Sequence, residues 1–293
     1  MVEYWRELLC ITIFSSTIRL LLLPMFVRTD TPKYLYLSSK TEEEAYEKIS
    51  YCFSFIYQKN YIDQATSEAI KTFNNQKQSN TVTLNSLFSK KFRLRLFSGS
   101  FLAFAQQMCG INFLIFYSTA IFDEISQNGK TMTLVIGLAN FFGGFGAVYL
   151  IGKFGRKYNF VYGCFVQAAA LGLLLIGIKI AYFPLVAGAV CAYIFAFAIG
   201  LGGSYSAYIC EILPPAGVGF AMTIQWILTA IIGFSVPSLG STFGQTKILT
   251  FFAIFCVLLT VGLAIWTIET KDKSEQEIVD KFESGNLKFL DFK

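Results

Sequence analysis

The sequence predicts an all-α polytopic membrane protein with seven transmembrane helices. Three observations lead there. Of the 293 residues, 54% are hydrophobic and only 15% are charged, too little charge to dress the surface of a water-soluble chain of this length. The apolar residues fall in uncharged blocks of about 18 or more, long enough as helices to cross roughly 30 Å of hydrocarbon. A backbone in lipid must satisfy its own polar groups, which leaves helices or closed barrels, and blocks of this length read as helices.

The spans run near Glu7–Val27, Phe97–Phe122, Thr131–Ile151, Tyr158–Ile180, Phe183–Tyr208, Phe220–Thr242 and Ile248–Thr267. This divides the chain into a first transmembrane helix (1–27), a helical loop domain (28–95), a six-helix bundle (96–267) and a tail (268–293). Seven spans put the termini on opposite sides. The loop 28–95, the turn Gly152–Lys157 and the tail hold 19 of the 24 Lys and Arg, and the opposite loops hold four. The positive-inside rule therefore places the C-terminus in the cytoplasm and the N-terminus outside, in what is expected to be the plasma membrane. The net charge of +5 follows from this topology, and no nucleic acid is expected as a partner. The first apolar block follows Glu3, Arg6 and Glu7 and has no basic leader or clear cleavage site, so it reads as a span and not a signal peptide.

Between the first two spans, Thr41 before Glu42, Glu43 and Glu44 reads as an N-cap with acidic residues on the positive helix end. Ile49, Phe53, Ile56 and Tyr57 share a face, which predicts a short amphipathic helix, and a second is expected from Ile62 to about Phe73. Lys90-Lys-Phe-Arg-Leu-Arg95 reads as a snorkelling anchor at the foot of the second span. The seven Cys are scattered without a C-x-x-C pair, and there is no His, which excludes histidine proton relays and His-containing zinc sites. No metal and no cofactor is expected. With no nucleophile–base pair or phosphate loop in view, neither is an enzyme.

Polar side chains in hydrocarbon are costly and need a partner or a task. The second span is richest in them, with Gln106, Gln107 and Asn112 within seven residues. Amides both donate and accept, which suits a neutral polyhydroxylated ligand or equally a hydrogen bond between helices. On an ideal helix the three would stand at about 0°, 100° and 240°, so they converge only if Gly110 loosens the helix or other helices complete the site. Arg19 lies about 12 Å from the end of the first span, too deep to snorkel comfortably. It is expected to contact carbonyls or an amide inside the bundle, or to face a part of the protein outside this chain.

The string Gln106-Gln-Met-Cys-Gly-Ile-Asn-Phe-Leu-Ile-Phe-Tyr117 resembles the seventh-helix signature of the sugar porter family of the major facilitator superfamily, which includes glucose facilitators and insect trehalose transporters. Five further motifs are similar, in the family's order: Trp5-Arg6, Asp30-Thr-Pro-Lys-Tyr-Leu35, Gly155-Arg-Lys157, Glu211-Ile-Leu-Pro214 and Glu269-Thr-Lys-Asp-Lys-Ser274, the last with Ile268 where the family has proline. The resemblance covers essentially the whole chain and aligns it with helices 6–12, the C-terminal half, leaving five helices of the N-terminal half absent. It implies sugar contacts for Gln106, Gln107, Asn112, Asn140, Gln225 and Trp226, an outer gate of Phe116 and Tyr117, and a cytoplasmic ion-pair cluster of Arg156, Lys157, Glu211 and Glu269. Ala198 and Ser206 stand where the family usually has glutamate and tryptophan. Gly152 and Val218 replace two charged members of the cluster, which should weaken it.

The resemblance implies facilitative transport of a sugar, hexose or trehalose, by alternating access. The sugar and the lipid bilayer are then partners, and an N-terminal half is the partner needed to close the pathway. No Asp, Glu or His lies in the middle of the core spans, so this half offers no proton carrier. The alternatives are a sugar sensor or interaction protein that does not transport, and a seven-helix receptor. The polar stretch of nearly seventy residues after the first span and the six motifs stand against the receptor.

Overall fold

A computed structural model of the chain describes residues 5–77, 84–116 and 129–285. The chain forms two compact units, residues 1–81 and 82–293, described here separately.

The first unit begins with α1 (Trp5–Phe26), which carries the apolar run Ile13–Leu23. Arg19 on this helix is exposed, and the carbonyl or amide expected to hold it is not found among the described residues. Next comes α2 (Pro32–Ser38), which the sequence reading missed. Thr31 caps it by accepting from the Tyr34 N–H at 3.4 Å, and Pro32 occupies the first turn, where its missing N–H costs nothing. Then follow α3 (Glu42–Phe53) and α4 (Ile62–Lys77). Thr41 caps α3 as its sequence suggests, accepting from the Glu44 N–H at 3.3 Å. The amphipathic faces meet in a small core of Tyr36, Ala45 and Ile49, flanked by Leu35, Phe53, Ile70 and Phe73. The Tyr36 hydroxyl donates to the Asn74 side chain, tying α2 to α4.

The second unit is the membrane bundle. It comprises α5 (Lys90–Met108), α6 (111–116), α7 (Gly129–Phe154), α8 (Arg156–Lys179), α9 (Phe183–Phe197), α10 (Gly203–Ile212), α11 (Pro215–Phe243), α12 (Gln245–Trp266) and α13 (Glu275–Glu283). Among the described residues six stretches are long and apolar enough to cross a membrane: 90–116, 134–154, 156–179, 183–212, 215–235 and 245–266. They match six of the seven expected spans; α1, expected as the other, carries a shorter apolar run among the described residues. Two details differ from expectation. The second span starts at Lys90, not Phe97, so the basic run lies inside the helix. Arg95 is buried there and donates through Nε to the Ile212 carbonyl at 2.6 Å, where its headgroup anchor role had been expected. The fifth span is continuous from Phe183 to Ile212, but residues Ala198–Gly202 between α9 and α10 form a π turn.

Packing is set by small residues at the tightest crossings. α8 lies against α9 and α12, α5 against α11, and α7 against α9. Where α8 crosses the π turn, a Cβ on Gly163 would stand 2.9 Å from the Gly200 Cα, so only glycine permits this approach.

The tail also folds back onto its unit. Ser274 and Glu277 form a reciprocal capping box at the start of α13, and Ile278 and Phe282 are buried. The Ser274 backbone N–H, with its hydroxyl next, donates to the Glu277 carboxylate and holds its pKa below the usual value. A carboxyl depressed in the folded state stabilises the fold above its unfolded pKa, and that contribution is lost as pH falls through the folded value. Wild-type protein in detergent should therefore unfold at a higher temperature than Glu277→Gln at neutral pH, and the gap should close as the solution is acidified below about pH 4. Scanning fluorimetry across pH reads the difference.

Candidate functional site

The second span breaks where its amides sit. Gly110 has φ +92°, a conformation that L side chains rarely adopt, and a Cβ there would meet the Phe252 ring at 2.6 Å. The break separates α5 from α6 and frees the Cys109 carbonyl, which accepts from the Tyr193 hydroxyl at 2.9 Å and from the Cys256 thiol at 3.4 Å. It also changes the angular relation of the amides. Asn112 Nδ2 donates to Gln107 Oε1 at 2.7 Å, so two groups that an ideal helix would hold apart are brought together.

Gln106 behaves differently. It is buried, and its Nε2 donates to the Leu201 carbonyl at 3.1 Å in the π turn, which makes this half of the amide a tie between helices. Its Oε1 is buried with no hydrogen-bond partner among the described residues. The Tyr205 hydroxyl, one turn beyond Leu201, is likewise buried and unpartnered. Sequence reading did not select Tyr205, since a tyrosine in an aromatic-rich span carries no distinguishing signal.

The other implied sugar contacts are not joined to this group by any hydrogen bond among the described residues. Asn140 on α7 is exposed, Gln225 on α11 is half-buried and Trp226 is 68% exposed. Phe116 is exposed at the end of α6, and Tyr117 lies outside the described residues. Two open cavities in the first unit are not lined by these amides.

The second group of residues gathers at one end of the bundle. Gly155, with φ +92°, makes the turn from α7 to α8, and the Glu269 carboxylate lies against it. One carboxylate oxygen accepts from the Arg156, Thr270 and Lys271 N–H groups, each at 2.9 Å, and the other from the Lys157 N–H at 3.0 Å. Glu269 therefore sits as a buried anion at the N-terminus of α8, where the helix dipole and free N–H groups favour negative charge. Arg156 Nη2 meets Glu211 Oε1 at 2.6 Å, joining the start of α8 to the end of α10. Each of these charges is unfavourably placed on its own helix dipole, and pairing them offsets both. Lys157 is 1% exposed. Nearby, the Tyr208 hydroxyl contacts Ser98 at 3.2 Å and accepts from the Ile268 N–H at 3.1 Å.

Replacing Glu269 with glutamine would leave one neutral oxygen and an NH2 group among four N–H donors, which should cost about 2–4 kcal/mol of stability. Gly155→Ala should be comparably destabilising, because its Cβ would stand 2.5 Å from the same carboxyl and its φ would be strained. Denaturant unfolding of the two single variants and the double checks this. A double variant that loses less than the sum marks the shared contact.

The comparisons agree with this architecture. The chain is 26% identical over 286 residues to "Probable plastidic glucose transporter 2" of Arabidopsis thaliana, covering 94% of this chain and 56% of that protein. It is 29% identical over 206 residues to the "Galactose-proton symporter" of Escherichia coli K12, covering 65% of this chain and 44% of that one. A solved structure of the proton:xylose symporter XylE is similar in fold, with a TM-score of 0.68 at 21% identity, over 90% of this chain and 57% of that one. The chain thus spans about half the length of the curated relatives it matches. Residues 2–282 match the sequence family described as "Sugar (and other) transporter". The chain is a multi-pass membrane protein that belongs to this family of transporters and corresponds to its C-terminal half.

Proposed function

We propose that this chain supplies the sugar-binding half of a facilitative transporter for a hexose or trehalose, working by alternating access. The observation that carries the reading is the break at Gly110. It turns Asn112 onto Gln107, beside a Gln106 whose carbonyl oxygen is buried without a partner. Amide groups with a free acceptor match the donors of a neutral sugar, and an aromatic surface such as Trp226 suits its C–H face. The sugars named for the relatives, glucose and galactose, fall in the same chemical class.

Alternating access in this superfamily rocks two six-helix halves about a site between them. Trp226, Asn140 and Phe116 are exposed, as they would be if they belonged to a wall whose opposite face lies on another half. Flux should therefore need a chain that supplies that half. Arg156, Lys157, Glu211 and Glu269 then act as a latch at the cytoplasmic end, with the membrane in question the plasma membrane.

The test is binding and flux in liposomes with labelled glucose and trehalose. The double variant Gln107→Ala/Asn112→Ala should lose about tenfold or more in sugar affinity, corresponding to two hydrogen bonds of about 1 kcal/mol each. Equal affinity in wild type and double variant would remove the amide assignment. Flux by the chain alone should be slight, and co-reconstitution with the first five helices of a relative should raise it.

A further inference from the structure

The first unit carries a feature unrelated to the sugar site. Directly after α1, residues 27–30 line two adjoining open cavities. One, of about 420 Å3, is completed by Leu35, Lys48 and Tyr51. The other, of about 340 Å3, extends toward Cys52, Phe55 and Ile56. α3 turns its Ala45, Ile49 and Cys52 face to the core of the unit. Lys48 and Tyr51, spaced i and i+3, lie on the side of α3 that lines the first cavity, and Phe55, in the turn after the helix, lines the second.

The groups around these cavities are poorly matched to water alone. The Arg28 guanidinium makes no ion pair or hydrogen bond among the described residues and lies over the face of Phe55, 5.9 Å from the ring centroid. Lys48 is paired with Glu44 at 2.6 Å, and Asp30 has no ion pair among the described residues. Phe55 and Ile56 are 50% and 69% exposed, and Tyr51 packs edge-on to Phe55 at 5.1 Å. Arg28 and Asp30, neither in an ion pair among the described residues, thus share one rim with a cluster of exposed aromatic and aliphatic side chains.

Chain connectivity says what covers them. The Val27 N–H still bonds to the Leu23 carbonyl at 2.8 Å, so the last turn of α1 runs directly into Arg28. The apolar sequence of α1 continues through Pro24, Met25, Phe26 and Val27, so Arg28 is the first residue beyond it. That places Arg28 at the boundary between the hydrocarbon and the headgroup layer. Aromatic rings beside unpaired arginine at this depth are the usual composition of a membrane interface.

We propose that the cavities at residues 27–56 seat a phospholipid headgroup. Its phosphate is held by Arg28, with Lys48 at the far rim, and Tyr51, Phe55 and Ile56 lie against the glycerol and upper acyl region. The seat ties the first unit to the membrane surface, and the bond count is simple: one bidentate guanidinium–phosphate contact, supported by apolar burial.

The experiment uses the full chain in vesicles of phosphatidylcholine and phosphatidylglycerol, with a benzophenone amino acid in place of Phe55. Irradiation should give a phospholipid adduct at that position, read by mass spectrometry of the intact chain. Arg28→Gln should reduce the adduct about tenfold, the value of one charge-assisted contact, while Arg28→Lys keeps most of it and Lys59→Gln, away from the cavities, leaves it unchanged. Arg28 is exposed, so these variants keep the fold, and a thermal unfolding curve for each verifies that. Absence of an adduct, or an adduct indifferent to Arg28→Gln, overturns the proposal. Displacement of the adduct by excess inorganic phosphate, but not by chloride at matched ionic strength, assigns the seat to free phosphate and overturns the lipid.

Discussion

A backbone inside an apolar bundle has no water to fall back on, so every place where a helix breaks must be repaired by protein. Three such places organise the second unit. At Gly110 the freed Cys109 carbonyl is met by Tyr193 from α9 and Cys256 from α12. At residues 198–202 the helix widens into a π turn, and its Leu201 carbonyl accepts from Gln106 of α5. At Gly155 the opening N–H groups of α8 are met by the carboxylate of Glu269. Each repair comes from outside the broken helix, Glu269 from the segment between α12 and α13, so each also fixes how the helices sit together.

The same constraint explains why charge at the end of the bundle takes the form it does. A resemblance based on charged residue types suggests side-chain ion pairs. The geometry instead gives Glu269 four backbone N–H donors, and leaves Arg156 to join Glu211. An anion held by backbone groups at a helix N-terminus needs no long side chain to be ordered, and it loses less entropy than a pair of flexible ends. Lys271 adds a cation at the Lys153 carbonyl, the C-terminal end of α7, where the dipole has the opposite sign. The end of the bundle is thus organised by helix termini as much as by ion pairs.

Much of the fold was legible because hydrocarbon imposes one simple rule on composition. Uninterrupted apolar blocks gave the spans, and the Thr41 cap and apolar spacing gave α3 and α4, although α3 ends at Phe53 and leaves Ile56 and Tyr57 of the expected face exposed beyond it. What escaped depends on contacts remote in sequence. α2 and α13 are short and gain their stability from Thr31, Ser274 and buried residues such as Phe282, not from periodicity. The early start of α5 escaped because a run of Lys and Arg reads as an anchor, whereas Arg95 is consumed by a carbonyl more than a hundred residues away. At the site, the sequence could name Gln106, Gln107 and Asn112, and could name Gly110 as the condition for their convergence. It could not divide their labour. Only the position of Leu201 makes Gln106 partly a structural tie while Gln107 and Asn112 meet each other.

That division bears on how a site can be both rigid and receptive. A fully satisfied polar network would hold the helices but have nothing left to offer a ligand. An unsatisfied one would be costly, at about 1–3 kcal/mol for each buried group. Gln106 stands between these extremes, with one end of its amide spent on the π turn and the other unpartnered. The Tyr205 hydroxyl, on α10 just after the π turn, is a second buried group without a partner among the described residues. Ties such as Gln106 to Leu201 and Tyr193 to Cys109 offset part of the cost by fixing the break, so the bundle tolerates a few open valences beside it. A neutral hydroxylic ligand that filled them would recover that remaining penalty on binding. A charged one would add a desolvation cost that no ion pair beside these groups, among the described residues, is placed to offset, so the proposed site suits a neutral ligand.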